Sequence, residues 1–392
     1  MVDGASINDF PAFRYRGLMV DTARNYLTLD DLKRTLDGMA ASKLNVLHWH
    51  ATDSHSFPLV SPSVPQLSKY GAYSSRQVYT PDDVHEVLRY AKIRGIRVLL
   101  EIDAPSHCGN GWQWGKSEEL GELAVCVNAN PWVRYCLQPP CGQLNPINPN
   151  LYPILRRLYN DVIEIFKDTE IFHMGGDEVS FKCWNSIGAI KSWLKSHELP
   201  VNETGYLELW SMFQQRALAQ WDTAAGHSAT NIFLWSSQLT ASEVIEQYLD
   251  KDRYIIETWV DEDDSLPDEL LEKGYRLVMV TKSAWYLDHG FWGNTLYHNW
   301  KVAYNNQLPR HKGVLGGEAA MWGELVDGRG LDGRVWPRAA AVGERLWTDP
   351  PPSSSTTLPL ERLMDHRARL VTRGLDPEAI APQWCYQNEG LC

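Results

Sequence analysis

No run of about 20 apolar residues occurs anywhere in the 392-residue chain, so no segment of it reads as a membrane-spanning helix. Positive charge is also in short supply. With 37 Lys and Arg against 49 Asp and Glu, the net charge is -12, and the electrostatic footprint of a DNA- or RNA-binding protein is missing. The N-terminus, Met1-Val2-Asp3-Gly4, has neither the basic start nor the apolar centre of a secretion signal. Internal repeats are not evident. The seven cysteines show neither CxxC nor zinc-finger spacing, so metal binding through thiolates has no support in the pattern. Phenylalanine is scarce, at nine against seventeen Trp and seventeen Tyr. Phe fills a core as well as either, so the excess of Trp and Tyr points to flat faces that also carry a polar handle, the surface that sugar-binding clefts use.

The cysteines that are present include the close pairs Cys126/Cys136 and Cys385/Cys392, and disulfides account for them better than a metal does. Asn202-Glu203-Thr204 is an N-glycosylation sequon. Both features point to the secretory pathway, either outside the cell or in the lumen of a lysosome or the Golgi. A leader, and an upstream domain with it, is then expected outside this stretch.

Taken in order, the chain alternates strand-like and helix-like segments. Apolar runs at Gly17–Asp21, Leu44–His50, Ile96–Asp103, Glu170–Val179, Asn231–Trp235, Tyr254–Trp259, Arg276–Val280 and Val314–Glu318 read as eight strands. Thr28 and Thr80-Pro81 are helix starts, the first followed by Leu29, Leu32, Leu36 and Met39 on one face. Runs that look buried on both sides, with helices between them, predict an α/β fold, a (β/α)8 TIM barrel over residues 1–347. Residues 348–392 are expected to hold a Pro/Ser/Thr-rich linker, a final helix carrying Leu360, Leu363, Met364, Leu370 and Val371, and a disulfide-bonded tail packed on the barrel.

The residues at the C-terminal ends of these strands are Arg24, Asp53, His107, the pair Asp177 and Glu178, Trp235, Trp259, Tyr286 with Asp288, and Trp322 with Glu324. A parallel barrel brings all of them to one mouth, where barrel enzymes place their chemistry. Gly175 and Gly176 let the backbone turn just before the two adjacent carboxylates. Such neighbours do not both ionise cheaply when desolvated, so one tends to keep a proton while the other carries charge. An acid beside an anion suits glycoside cleavage.

The segments GLMVDTAR (17–24), HWHATD (48–53), HMGGDEV (173–179), WYLD (285–288), MWGE (321–324) and WPRAAAVGERLW (336–347) resemble the β-N-acetylhexosaminidases of glycoside hydrolase family 20, in order and over nearly the whole chain. CGQLNP (141–146) and AWYLDHGFWG (284–293) are most similar to the arthropod members. The resemblance implies a retaining exo-hydrolase, without cofactor or metal, that removes terminal β-linked N-acetylglucosamine or N-acetylgalactosamine from N-glycans, chitooligosaccharides or other glycoconjugates. In that reading the substrate's acetamido oxygen is the nucleophile. Glu178 is the general acid and then base, Asp177 orients the acetamido group and stabilises the oxazolinium, and Tyr286 donates to the acetamido oxygen. Trp235, Trp259 and Trp322 wall the pocket, Arg24, Glu324 and Asp288 bind sugar hydroxyls, and Asp53 and His107 stand behind Glu178.

The family pattern also pairs Cys126 with Cys136, Cys141 with Cys183 and Cys385 with Cys392, leaving Cys108 odd, and it usually has a small α/β domain before the barrel. The loop after Asp288 is shorter than in the chitin-degrading members. It is more similar to the branch that trims N-glycans, with Trp292 or Trp300 as candidates to stack a second sugar. Homodimerisation is compatible with the sequence and not specified by it. Two other readings are a zinc barrel hydrolase using His48, His50, His107 and Asp288, in which the carboxylate pair would have no task, and a catalytically inactive carbohydrate-binding barrel, which would not need an acid at Glu178.

Overall fold

The computed structural model describes residues 4, 6–351, 357–388 and 391. Eight strands, β1 (Tyr15–Asp21), β2 (Val46–His50), β3 (Arg97–Glu101), β4 (Ile171–His173), β5 (Asn231–Trp235), β6 (Tyr254–Thr258), β7 (Arg276–Met279) and β8 (Val314–Met321), close into a parallel barrel in sequential order. β1 completes the closure against β8, from Tyr15 opposite Gly316 to Val20 opposite Met321. β1, β2 and β6 are buried along their whole length, as strands covered by helices outside and side chains inside must be. The eight apolar runs of the sequence are the eight strands.

The helix starts follow the local signals. Thr28 accepts from the Asp31 backbone N–H while the Asp31 side chain reaches back to Thr28, and Thr80 with Asp83 repeats this capping box ahead of Pro81. Leu32, Leu36 and Met39 of the first helix (Leu29–Ala41) are buried against the barrel. In the last long helix, Thr357–Thr372, Leu363 and Leu370 join the main core, while Val371 is exposed, one residue and about 100° round the helix from Leu370.

The connection from β3 to β4 is the longest departure from a plain barrel. It carries a small antiparallel ribbon, Ala124–Val125 against Gln143–Leu144, one whole disulfide and one end of a second. Here the expected pairing fails, because Cys126 bonds Cys183 and Cys136 bonds Cys141. The ribbon delivers Cys126 against the helix Phe181–Ser186, which holds Cys183, and Cys136 and Cys141 close the turn over Pro139 and Pro140. Cys385 is disulfide-bonded, its expected partner Cys392 lies outside the described residues, and Cys108 is the buried free thiol. The two bonds close loops of very different length, with sequence separations of 57 and 5. From loop closure, removing Cys126–Cys183 as the double Ser variant is expected to cost about 4 kcal/mol and removing Cys136–Cys141 about 2, which thermal unfolding of the two variants would show. Asn202 is exposed and caps the helix Glu203–Ala225 by accepting from Gly205 N–H, so its sequon lies at the surface.

Candidate active site

The strand ends do converge. Arg24, Asp177, Glu178, Trp235, Trp259, Tyr286, Trp322 and Glu324 line one pocket at the C-terminal mouth of the barrel, with Gln138, Lys282, His289 and Trp292 completing its rim. Asp53 and His107 lie next to Glu178: His107 Nε2 is 3.3 Å from Glu178 Oε2, and its Nδ1 is 3.3 Å from Asp53 Oδ2. Asp288 is buried and not among the residues lining the pocket, with Oδ2 accepting from Trp292 Nε1 at 2.8 Å.

The turn that presents the two carboxylates is tightly built. Gly175 has φ +65°, and a Cβ there would sit 1.8 Å from Asp103 Oδ1, so only glycine fits. Gly176 N–H donates to the same oxygen at 3.0 Å. Glu178 and His107, which face each other across 3.3 Å, both have positive φ, +51° and +53°. Non-glycine residues adopt that conformation at a cost, and two such residues in contact put strain where the side chains must be aimed.

The charges are ordered outward from Arg24. Its guanidinium contacts Asp21 Oδ2 and Asp53 Oδ2 at 3.0 Å each and Glu324 Oε1 at 3.6 Å, and lies 4.8 Å from the centre of the Trp322 ring. Burial would raise the Asp53 carboxyl, but Arg24 and then His107 hold it well below the usual range. Burial would likewise lower His107, yet Asp53 and Asp177 raise it well above an ordinary histidine. An imidazolium therefore stands between Asp53 and Glu178. Against its own burial, Glu178 is held below the usual carboxylate range by the His107 hydrogen bond and charge. Asp177 is raised by burial and, less strongly, by Glu178, and Asp103 is raised well above its usual range by burial and the charge of Asp177.

The adjacent carboxyls thus split, but the protein's own groups place the proton on the Asp177–Asp103 side. A cation developing beside Asp177 would reverse this by favouring its carboxylate, while a sugar covering Glu178 would desolvate it and raise it.

At the mouth of the barrel, three buried carboxylate oxygens, Asp177 Oδ1, Glu324 Oε2 and Asp288 Oδ1, find no hydrogen-bond partner among the described residues. Such oxygens are costly unless a ligand meets them, and two of the three residues line the pocket. Gln138 was not foreseen. Its Oε1 accepts from Arg24 Nε and Nη2 at 3.1 and 2.7 Å, and its Nε2 donates to Glu324 Oε1 at 2.6 Å. Gln138 is held there by the Cys136–Cys141 turn, which no local sequence signal announces. Asp103 was legible only as the end of a strand. Burial drives Asp288 up to about 7, partly opposed by Trp292. The four residues of the zinc reading do not form one group. His48 and His50 point into the barrel lumen against carboxylates, and none of the possible ion-holding clusters among the described residues joins them to His107 and Asp288.

Residues 13–350 match the catalytic domain of glycosyl hydrolase family 20. A chitooligosaccharidolytic β-N-acetylglucosaminidase of Ostrinia furnacalis is 46% identical over 100% of this chain and 67% of its own length. A probable β-hexosaminidase of Drosophila melanogaster is 40% identical over 99% of this chain and 59% of its own. The chain therefore spans about two thirds or less of these relatives. Among solved structures, the Flavobacterium johnsoniae chitobiase superposes with a TM-score of 0.74 at 30% identity, covering 94% of this chain and 53% of that one. With the closed eight-stranded barrel, the paired carboxylates at the end of β4 and a match over nearly the whole chain, this protein belongs to glycosyl hydrolase family 20.

Proposed function

We propose that the chain is a retaining exo-β-N-acetylhexosaminidase acting on the non-reducing end of chitooligosaccharides by substrate-assisted catalysis. One observation carries this reading. Asp177 and Glu178 are consecutive residues whose carboxylate oxygens, with a His107 ring nitrogen, lie within 4.8 Å of one another in a tryptophan-walled pocket. We read the pair as working on one side of the scissile bond, with neither carboxylate attacking the sugar carbon from behind. The acetamido oxygen does so instead. It bonds to C1 as the glycosidic C–O bond breaks, and Glu178 gives its proton to the departing oxygen. Asp177 holds the acetamido N–H and the positive charge of the oxazolinium, and Tyr286, kept neutral by burial, donates to the acetamido oxygen. Water then opens the ring, passing its proton to Glu178, and the configuration at C1 is retained. Arg24 and Glu324 bind the far hydroxyls of the terminal sugar in place of Gln138.

Trp292 supports the choice of chitooligosaccharide. It is 38% exposed at the pocket rim, whereas Trp300 is 7% exposed and belongs to the core, so of the two candidates only Trp292 offers a face to a second sugar. The names of the Ostrinia and Flavobacterium relatives point the same way. The shorter loop after Asp288 favours N-glycans, and the disulfides favour a secretory location. The test compares kcat/KM for chitobiose with that for an N-glycan ending in N-acetylglucosamine. Faster release from chitobiose is expected, and a clear preference for the glycan would overturn the substrate assignment. Trp292→Ala should raise KM for chitobiose about fivefold, the loss of roughly 1 kcal/mol of aromatic contact, and leave an aryl glycoside with no second sugar little changed.

A further inference from the structure

Behind the pocket, the barrel lumen holds ionisable groups that the chemistry above does not use: His48, His50, Glu101, His173, Glu257 and Glu318 are all fully buried. Apolar side chains would fill this space at less cost, since a buried ion pair is weak support for stability. The geometry is a chain that ends at the catalytic acid. From Glu178, His107 leads to Asp53. Asp53 Oδ2 lies 3.1 Å from His50 Nε2, and His50 Nδ1 lies 2.7 Å from Glu101 Oε2. That same Glu101 oxygen faces His48 Nε2 at 2.9 Å, while its other oxygen accepts from Trp235 Nε1 at 2.8 Å. His50 therefore has a carboxylate on each ring nitrogen, an arrangement that only the doubly protonated ring satisfies.

We infer that Glu101, acting through His50, is a positioning residue for the reaction: it keeps His50 an imidazolium against Asp53, and so sets how tightly His107 and Glu178 hold the proton they share. The inference rests on the proposed role of Glu178. Several other ionisable groups bear on the same proton. Asp53 is faced by Arg24 and His55 as well as by His50 and His107, and His50 also feels Asp21. His107 faces Asp177 and Glu178, and Glu101 faces His48 and His173, with Asp103 nearby. In Glu101→Gln the amide oxygen can still accept from Trp235, but the amide N–H group meets His50 Nδ1, which must then give up its proton. Asp53 loses a cation 3.1 Å away, while the negative charge lost with Glu101 lay one residue further out. The shared proton is held more tightly.

The experiment is the pH profile of kcat/KM on chitobiose for the wild type, Glu101→Gln, His50→Gln and Glu257→Gln. Glu257 has the same burial and touches His48 and His173, but reaches Asp53 only through His48, Glu101 and His50, so it reports what damage to the network alone does. The alkaline limb should move up by about half a pH unit or more in the first two variants, with KM within about twofold, and should stay in place in the third. Profiles of Glu101→Gln and His50→Gln that superimpose on the wild type, whatever their thermal stability, would overturn the inference. So would an equal shift in Glu257→Gln. If Glu101→Gln does not fold, His50→Gln decides. NMR titration of ring-labelled histidines follows His107 without turnover, so an inactive wild type would remove the hydrolase reading while this one was still decided by the movement of His107.

Discussion

Glu178→Gln is expected to lower kcat on chitobiose by roughly 10³–10⁴-fold with little change in KM, because it removes a proton donor and leaves the walls of the pocket in place. The size of the loss should depend on the leaving group. An aryl group such as nitrophenol departs as a stable anion and needs little protonation, so the first step would suffer less with it than with a sugar alcohol. Water attack in the second step still lacks its base, so turnover remains slow. An added small nucleophilic anion such as azide, which needs no base, should then restore turnover of the aryl substrate and give a β-configured adduct. Steady-state rates on the two substrates, with and without azide, check all of this. A Glu178→Gln enzyme that keeps a tenth of wild-type activity on chitobiose would place the acid elsewhere, and His107 would be the next group to consider, since it already carries a proton 3.3 Å from the same spot.

Much of this site was legible because a parallel barrel is a simple device for reading sequence into space. Each strand is a short apolar run, the fold sends all their C-terminal ends to one mouth, and whatever follows each run must gather there. Arg24, Trp235, Trp259, Trp322 and Glu324 were found that way, with no knowledge of their contacts. What escaped the sequence depends on chain segments that the barrel does not position. Gln138 bonds Arg24 and Glu324 from a turn whose place is set by a disulfide, and cysteine connectivity cannot be read from spacing. The pattern expected from relatives joined Cys126 to Cys136, but the ribbon turns Cys126 toward the helix that holds Cys183. Trp292 and Trp300 are equivalent as sequence, and only the folded loop puts one at the rim and the other in the core. The lumen carboxylates were in plain view as single charged residues within apolar strands. Glu257 within Tyr-Ile-Ile-Glu-Thr is one, and a charge at such a position has to point inward and find a partner.

Asp177→Asn should be the second most damaging change, with kcat falling by about 10²–10³-fold, and it separates assistance by the substrate from attack by the protein. Two carboxylates this close would also fit an ordinary retaining glycosidase with Asp177 as nucleophile. In that case the 2-acetamido group would be dispensable, a glucoside without it would be cleaved, and a 2-fluoro analogue would trap a covalent bond to Asp177. If the acetamido oxygen is the nucleophile, the wild type should leave both compounds untouched, and the loss in Asp177→Asn should be confined to kcat. Asn can still accept a hydrogen bond from the acetamido N–H, but it cannot balance the charge of the oxazolinium. The protein's own electrostatics suit this assignment. Burial and Glu178 raise Asp177, so its full negative charge is best matched only when a cation forms beside it. The interaction is then stronger in the transition state than with bound substrate, which is the condition for it to speed the reaction.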